Sequence, residues 1–185
     1  MRRILDTLYE IALWASALCL VTIALLVGVQ LAGRILDGVL SLIHLPRTDF
    51  VILSLAEICG YLLAAASFLA LAPTLKSGTH IRVTMALAVL SEPKRRLAEL
   101  FAFGLAVVAA GYMTWNFGKF AYVSWSFDEV STGVVRVPLA YPQAMMALGA
   151  LVLTVALADE LVTILWRGRP SFRDAEEAYT VGKEN

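Results

Sequence analysis

The sequence predicts an all-α integral membrane protein in which four helices span the bilayer and two shorter amphipathic helices lie on its surface. Hydrophobic residues make up 59% of the 185 residues and charged residues only 16%, against about 45–50% and about 25% in an average soluble domain. Four apolar stretches are each long enough to cross a bilayer, and two shorter ones lie between them, next to charged residues. The net charge of zero argues against a nucleic acid partner.

The predicted spans cover four ranges of the sequence, residues 11–33, 50–75, 97–126 and 138–166. The first apolar run has about 23 residues, which is too long for the core of a signal peptide, so we expect it to remain as a helix. The third run has about 30 residues, or about 45 Å as a helix, and must tilt or project beyond the bilayer. Residues 1–166 are thus predicted to form one membrane domain, followed by a polar tail at 167–185 with too few large apolar residues to fold alone.

The two predicted surface helices are residues 35–43 and 79–90. In the first, apolar residues recur at helical spacing between Arg34 and Pro46. The second is apolar but too short to span a bilayer, and charged residues flank it. Both are therefore expected to be separate helices that lie flat at the level of the lipid headgroups.

The positive charges predict the orientation of the chain in the membrane. Eleven of the fifteen Lys and Arg residues lie at the termini or in the second loop, which an even number of crossings places on one side. Because positively charged loops stay in the cytoplasm, both termini are predicted to be cytoplasmic. The loops around Arg47 and Asp128 are then predicted to face outward.

Two ionisable residues lie well inside predicted spans. Glu57 is seven residues into the second span, about 10 Å deep, and Lys119 is seven residues before the outer end of the third. Because a paired charge is less costly in a low dielectric, we expect Glu57 to pair with Lys119 or with Arg34. Such a pair would mainly fix helix register, and contact with a partner subunit or a proton relay are the alternatives.

At the inner end of the fourth span, Asp159 and Glu160 form a second acidic site. Lys76, Arg95 or Arg96 is expected to neutralise one of these carboxylates, since all lie near the same membrane surface.

The residues of catalysis and cofactor binding are sparse. His44 and His80 are predicted on opposite sides of the membrane, so they cannot share a metal or a haem. Cys19 and Cys59 lie in apolar runs and form no C-x-x-C pair. No internal repeat or broken helix suggests a transport path within the chain. The sequence therefore predicts a scaffold protein without enzymatic activity, cofactor or metal.

The chain resembles the small membrane subunit (Q-type, as in DctQ) of tripartite ATP-independent periplasmic, or TRAP, transporters. The features that carry the resemblance follow in order: Arg34 at the end of the first span, Glu57 early in the second, the loop Lys76-Ser77-Gly78-Thr79-His80-Ile81-Arg82-Val83, then Ser131-Thr132-Gly133, Val137-Pro138-Leu139 and Gly149. The loop is similar to the family's G-x-H-I-x-V signature.

The resemblance implies a bacterial inner-membrane protein that braces a larger, M-type membrane subunit. That larger subunit carries the substrate and sodium in an elevator-type movement, and a P-type periplasmic protein captures the substrate, usually an organic acid. Membrane phospholipid is expected between the two membrane subunits. The implied site residues fall into three groups: a structural or large-subunit interface with Arg34, Glu57, Lys119, Pro138 and Gly149; a lipid-headgroup or cytoplasmic loop motif with Gly78, His80 and Arg82; and a periplasmic docking set with Arg47, Asp49, Asp128, Glu129 and Arg136.

A small, self-assembling, proton-coupled multidrug exporter is the alternative function. Such proteins also have four spans and a membrane glutamate, which would here be Glu57.

Overall fold

The computed structural model describes residues 2–76 and 92–167 of the chain. Four helices account for most of this part: α1 (Arg2–Leu42), α2 (Leu55–Lys76), α3 (Glu92–Ser126) and α4 (Ala140–Arg167). Each is long and apolar enough to cross a membrane. The prediction of four membrane-spanning helices is confirmed at this level, and the described residues contain no β-strand, only an isolated bridge between Val130 and Pro138.

Helix α1 is longer than predicted. Residues 35–42 are helical, but they continue α1 without a break, so the prediction of a separate surface helix at 35–43 is wrong. The physical reason is that a single glycine, Gly33, costs a helix only about 1 kcal/mol, and good helix formers surround it. The 41 residues of α1 span about 62 Å, roughly twice the hydrocarbon thickness. The second predicted surface helix, at 79–90, and the tail beyond residue 167 lie outside the described residues.

The helices form a curved row rather than a closed bundle. Their order across the row is α1, α2, α4, α3, because α2 packs against α1 and α4, and α3 packs against α4. Helix α1 also touches α4 where Tyr9 and Ala12 meet Ala156 in a small apolar core. In the most apolar part of each helix, 44% of the residues of α4 are buried but only 11% of those of α1 and α3. The two edge helices therefore expose most of their apolar side chains.

Small residues permit close contact between α2 and α4. Gly149 is buried, and a Cβ atom there would lie 2.6 Å from the backbone carbonyl carbon of Phe68. The Phe68 ring meets Phe117 of α3 edge to face, with the ring centroids 5.2 Å apart. Gly149 thus lies at a close contact between α2 and α4, as small residues commonly do between membrane helices.

The contacts also fix the register between the helices. The Ser16 hydroxyl of α1 donates to the carbonyl of Ala66 in α2, and Thr114 of α3 lies 3.0 Å from Thr154 of α4, hydroxyl to hydroxyl. The Phe68–Phe117 contact sets α2 against α3. We call the end of the row with the α1 C-terminus and the α2 N-terminus the outer end, following the predicted orientation.

Candidate functional site

The loop at 127–139 closes the outer end of the row as a short hairpin. The Ser131 N–H donates to the Val137 carbonyl over 2.8 Å, and the Leu139 N–H donates to the Glu129 carbonyl over 3.0 Å. Pro138, a predicted interface residue, stands in the bridge with Val130 on this hairpin. The loop is therefore an ordered structure that joins α3 to α4.

This hairpin packs directly on the start of α2, at Glu57. The Val135 N–H donates to the Ser54 hydroxyl over 2.9 Å, and the Tyr61 hydroxyl donates to Glu57 Oε1 over 2.8 Å. Any Cβ atom at Gly133 would collide with Glu57 Oε2. A side chain at this position would displace the Glu57 carboxylate and the Ser54 hydroxyl, which gives the Ser131-Thr132-Gly133 motif a packing reason.

The predicted pairing of Glu57 with Lys119 or Arg34 is not formed. The ion pairs among the described residues join other side chains, and Glu57 hydrogen-bonds to Tyr61 on its own helix. The rings of Phe68 and Phe117 are in contact, so these two residues lie at the same level. Glu57 is eleven residues outward from Phe68, or about 16 Å along α2. Lys119 is only two residues outward from Phe117, or about 3 Å along α3. The two groups therefore lie at different levels, with α4 between their helices.

Arg34 is out of reach of Glu57 for the same reason. Ser16 and Ala66 lie side by side, and Arg34 is 18 residues outward from Ser16 while Glu57 is only nine outward from Ala66. The difference of nine residues is about 13 Å along the helices.

The charged cluster at the inner end does form, and it joins three helices. Lys76 Nζ of α2 lies 3.0 Å from Asp159 Oδ2 and 3.9 Å from Glu160 Oε1 of α4, and it lies 5.3 Å from the centre of the Tyr9 ring of α1. The Glu160 side chain is fully buried. The expectation that Lys76 neutralises this acidic pair is confirmed. We call these four residues the inner charge cluster.

The two other candidate cations bind elsewhere. Arg95 pairs with Glu99 one turn along α3, Nε to Oε1 at 3.3 Å, and Arg96 donates to the Leu165 carbonyl near the end of α4 over 3.1 Å. Glu99 is only 3% exposed. The sequence does not distinguish Glu99 as a buried carboxylate. Its (i, i+4) spacing from Arg95 is the only indication of this ion pair, and such spacing is common on exposed helices.

The outer loop at 43–54 runs back along the projecting end of α1. Gln30 Oε1, nearly buried, accepts the Ile52 N–H over 2.7 Å, and Asp37 Oδ1 accepts both the N–H and the hydroxyl of Thr48. Phe50 lies against Gly33. Neither Gln30 nor Asp37 stood out in the sequence, yet both fix this loop.

The predicted docking residues all lie exposed in the two outer loops, which the Ser54–Val135 hydrogen bond joins. Arg47 donates to the Ser41 hydroxyl over 2.9 Å, and Glu129 accepts the Ser124 hydroxyl over 2.6 Å. Side-chain bonds to Asp49, Asp128 and Arg136 are absent among the residues the structure describes. These last three charges are therefore the ones available to a partner.

An apolar groove lies between α1, α2 and the start of α4. Its volume is about 240 Å³, and it is lined by Cys19, Ile58, Tyr61, Leu62, Ala65, Val137, Tyr141, Pro142 and Met145. Gly78, His80 and Arg82, the predicted headgroup-binding motif, lie outside the described residues.

The comparisons with known proteins decide the family. The family model of the DctQ component of tripartite ATP-independent periplasmic transporters matches residues 47–167, which is more than half of the chain. The chain belongs to the DctQ family. As a DctQ protein it is the small membrane subunit of a TRAP transporter and a multi-pass protein of the inner membrane. A comparison with curated proteins found no match.

Membership of the DctQ family confirms the resemblance that the sequence motifs indicated. It also implies a larger membrane subunit and a substrate-binding protein as partners, since the transporter is tripartite. The family consists of transporter components rather than enzymes, and it does not favour the exporter alternative.

Proposed function

We propose that this DctQ protein is the stationary brace of a sodium-coupled TRAP transporter that imports an organic acid, and that its outer loops help to dock the periplasmic substrate-binding protein. The open row of helices carries this proposal. A chain whose edge helices bury only 11% of their most apolar residues has large membrane-facing surfaces available to a neighbour and little interior of its own in which to carry a substrate.

Ties at both ends of the row support a bracing role. At the outer end the hairpin at 127–139 bonds to Ser54, and at the inner end Lys76 holds α2 to the acidic pair of α4. Arg96 adds a bond from α3 to α4. Fixed contacts at both ends resist sliding of one helix past another, which suits a subunit that stays still beside a moving one.

The exposed charges support the docking role. Asp49, Asp128 and Arg136 lie at the outer end, on the side predicted to face the periplasm. Rim charges of this kind steer encounter and orientation more than they add affinity. We expect charge reversal at Asp128 or Arg136 to slow uptake by lowering the rate of docking, with the effect shrinking as salt increases.

The apolar groove supports a bound phospholipid. It opens within the membrane-spanning part, and its lining beside Cys19 and Tyr141 suits an acyl chain. His80 and Arg82, predicted at the opposite, cytoplasmic surface, would bind the headgroup phosphate of a different lipid.

The test is reconstitution of sodium-driven uptake. Vesicles would contain the large subunit with or without this chain, with the purified binding protein and a labelled organic acid outside. We expect uptake only when both membrane subunits are present, and a sodium gradient should be required. Equal uptake without this chain would contradict the bracing role.

The same vesicles distinguish the exporter alternative. The Glu57 carboxylate is bonded to Tyr61 and covered by the hairpin at Gly133, which argues against a freely exchanging proton site. The chain alone is therefore expected to move no cationic dye along a proton gradient. Dye movement that Glu57→Gln abolishes would establish the exporter instead.

A further inference from the structure

Helix α3 carries a line of polar side chains on the face that points away from the rest of the chain. Tyr112, Asn116 and Lys119 follow at i, i+4 and i+7, the spacing of one helical face. The opposite face, with Ala110 and Thr114, packs on α4. We call Tyr112, Asn116 and Lys119 the polar line of α3.

Two of these groups have no partner among the described residues. Tyr112 is 70% exposed, and its hydroxyl makes no hydrogen bond within residues 2–76 and 92–167. The Lys119 ammonium is exposed and makes no ion pair there. Asn116 donates its amide to the Tyr112 carbonyl over 2.8 Å.

The depth of the polar line makes contact with lipid costly. Tyr112 is 14 residues from Ser126 at the outer end of α3, or about 21 Å along the helix, near the middle of the apolar stretch. Hydrocarbon offers no hydrogen bond to the Tyr112 hydroxyl at such a depth, and the Lys119 ammonium, about 10 Å from the same end, still lies within the apolar stretch. Ionisable residues within membrane spans generally face protein or a water-filled cavity for this reason.

The exposed face of α1, the other edge helix, carries no such polar line. Its exposed residues include Ile11, Leu18, Val21 and Leu25, and no charged residue occurs from position 11 to 33. The face of α3 differs by its polar line.

We propose that the polar line of α3 binds the large membrane subunit, through a helix that presents a carboxylate opposite Lys119 and a hydrogen-bonding side chain opposite Tyr112. Charge complementarity carries the choice of partner chemistry, because an ammonium among apolar and aromatic side chains is stabilised best by an anion at the same depth. This inference rests on the proposed function and adds the contact face and its chemistry.

Photo-crosslinking tests the contact face with a matched pair of positions. Trp115 borders the polar line and is 69% exposed, while Trp14 is 75% exposed on α1. A photoreactive phenylalanine derivative would replace each in the chain co-expressed with the large subunit. We expect a protein adduct of the summed mass of both subunits from position 115 and lipid adducts from position 14. Lipid adducts only from position 115, or an adduct of two copies of this chain, would overturn the proposal.

Substitution of Lys119 tests the chemistry. Lys119→Met is expected to lower the affinity for the large subunit by about three- to thirty-fold, from the usual strength of polar contacts between membrane helices. Lys119→Arg should restore most of it, and Tyr112→Phe should weaken it less. Helicity and size of the isolated variants should match the wild type. Unchanged affinity in Lys119→Met would refute the charge pair.

The outcomes separate this inference from the proposed function. If the two subunits co-purify but crosslink through position 14, the brace stands and the assignment of its contact face to α3 is wrong. If the wild-type chain does not bind the large subunit at all, both proposals fail.

Discussion

Replacement of Lys76 by methionine provides the sharpest test of the inner charge cluster. Lys76 Nζ lies 3.0 Å from an Asp159 oxygen and 3.9 Å from a Glu160 oxygen, and the Glu160 side chain is fully buried. Lys76→Met keeps most of the apolar stem and removes the cation. Breaking a buried ion pair by loss of one partner costs about 3–5 kcal/mol. Because the Lys76 and Asp159 side chains keep 21% and 22% of their exposure, we expect the lower end, about 3 kcal/mol.

Neutralisation of Glu160 should have a much smaller effect. The cluster has two carboxylates and one ammonium, so Glu160→Gln leaves one charge of each sign. The amide keeps a similar shape and can still accept a hydrogen bond, so we expect a loss of no more than about 1 kcal/mol. The double variant Lys76→Met/Glu160→Gln should be more stable than Lys76→Met alone, since one of the two adjacent carboxylate charges is removed.

The assay is unfolding of the purified chain in mixed micelles, followed by far-UV circular dichroism. Lys119→Met is the matched control, because it removes a lysine that is exposed in the isolated chain. Its free energy of unfolding should stay within about 0.5 kcal/mol of the wild type. Equal stability of Lys76→Met and Lys119→Met would refute the view that the cluster holds the row together.

Four further substitutions, one of them a control, test the close contacts and the outer loop. Gly133→Ala places a methyl group against the carboxylate beneath the hairpin, and we expect a loss of about 1–3 kcal/mol with increased proteolysis of the loop. Gly149→Ala forces apart α2 and α4 at Phe68 and should cost a similar amount, whereas Gly28→Ala, with nothing within 4 Å, should keep or slightly raise the unfolding midpoint. Gln30→Leu deprives the returning loop of its acceptor, so hydrogen exchange of that loop should quicken, with a loss of about 1–2 kcal/mol.

The sequence was sufficient for features that depend on one helix at a time. The length of the apolar stretches was enough to locate the four spans. Lys76 and Asp159 lie near the inner ends of their helices, which was enough to predict their ion pair. The sequence does not show where α1 ends. Charged residues such as Arg34 do not break a helix, and the structure shows α1 continuing past it.

The pairing of Glu57 failed for a different reason. Its depth in α2 and that of Lys119 in α3 were each counted from the end of their own span, which gives no register between helices. That register depends on contacts such as Phe68–Phe117, which no local pattern encodes. The small residue at Gly149 could have indicated a close approach, but not between which helices.

The register of the row determines how the protein leans in the bilayer. The Ser16–Ala66 contact sets the level of α1 against α2, and the Phe68–Phe117 contact sets the level of α2 against α3. By these contacts, the middle of the apolar stretch at 11–33 lies about 20 Å further outward than the middle of the stretch at 97–126. Because the row is curved, at most three interaxial steps of 8–10 Å separate these edge helices. Both midpoints can lie in the bilayer midplane only if the helices lean by at least about 35°, near the upper end of the usual range.

An inclined row has a mechanical consequence. At this lean a helix needs about 24 residues to cross about 30 Å of hydrocarbon, so the chain occupies a long, narrow strip of membrane rather than a compact disc. A neighbour that moves along the membrane normal would push partly along the helix axes, where continuous backbone hydrogen bonds resist compression. The remaining, sideways part of that load acts across the row, where the contacts between neighbouring helices, such as those of α2 with α4, resist it.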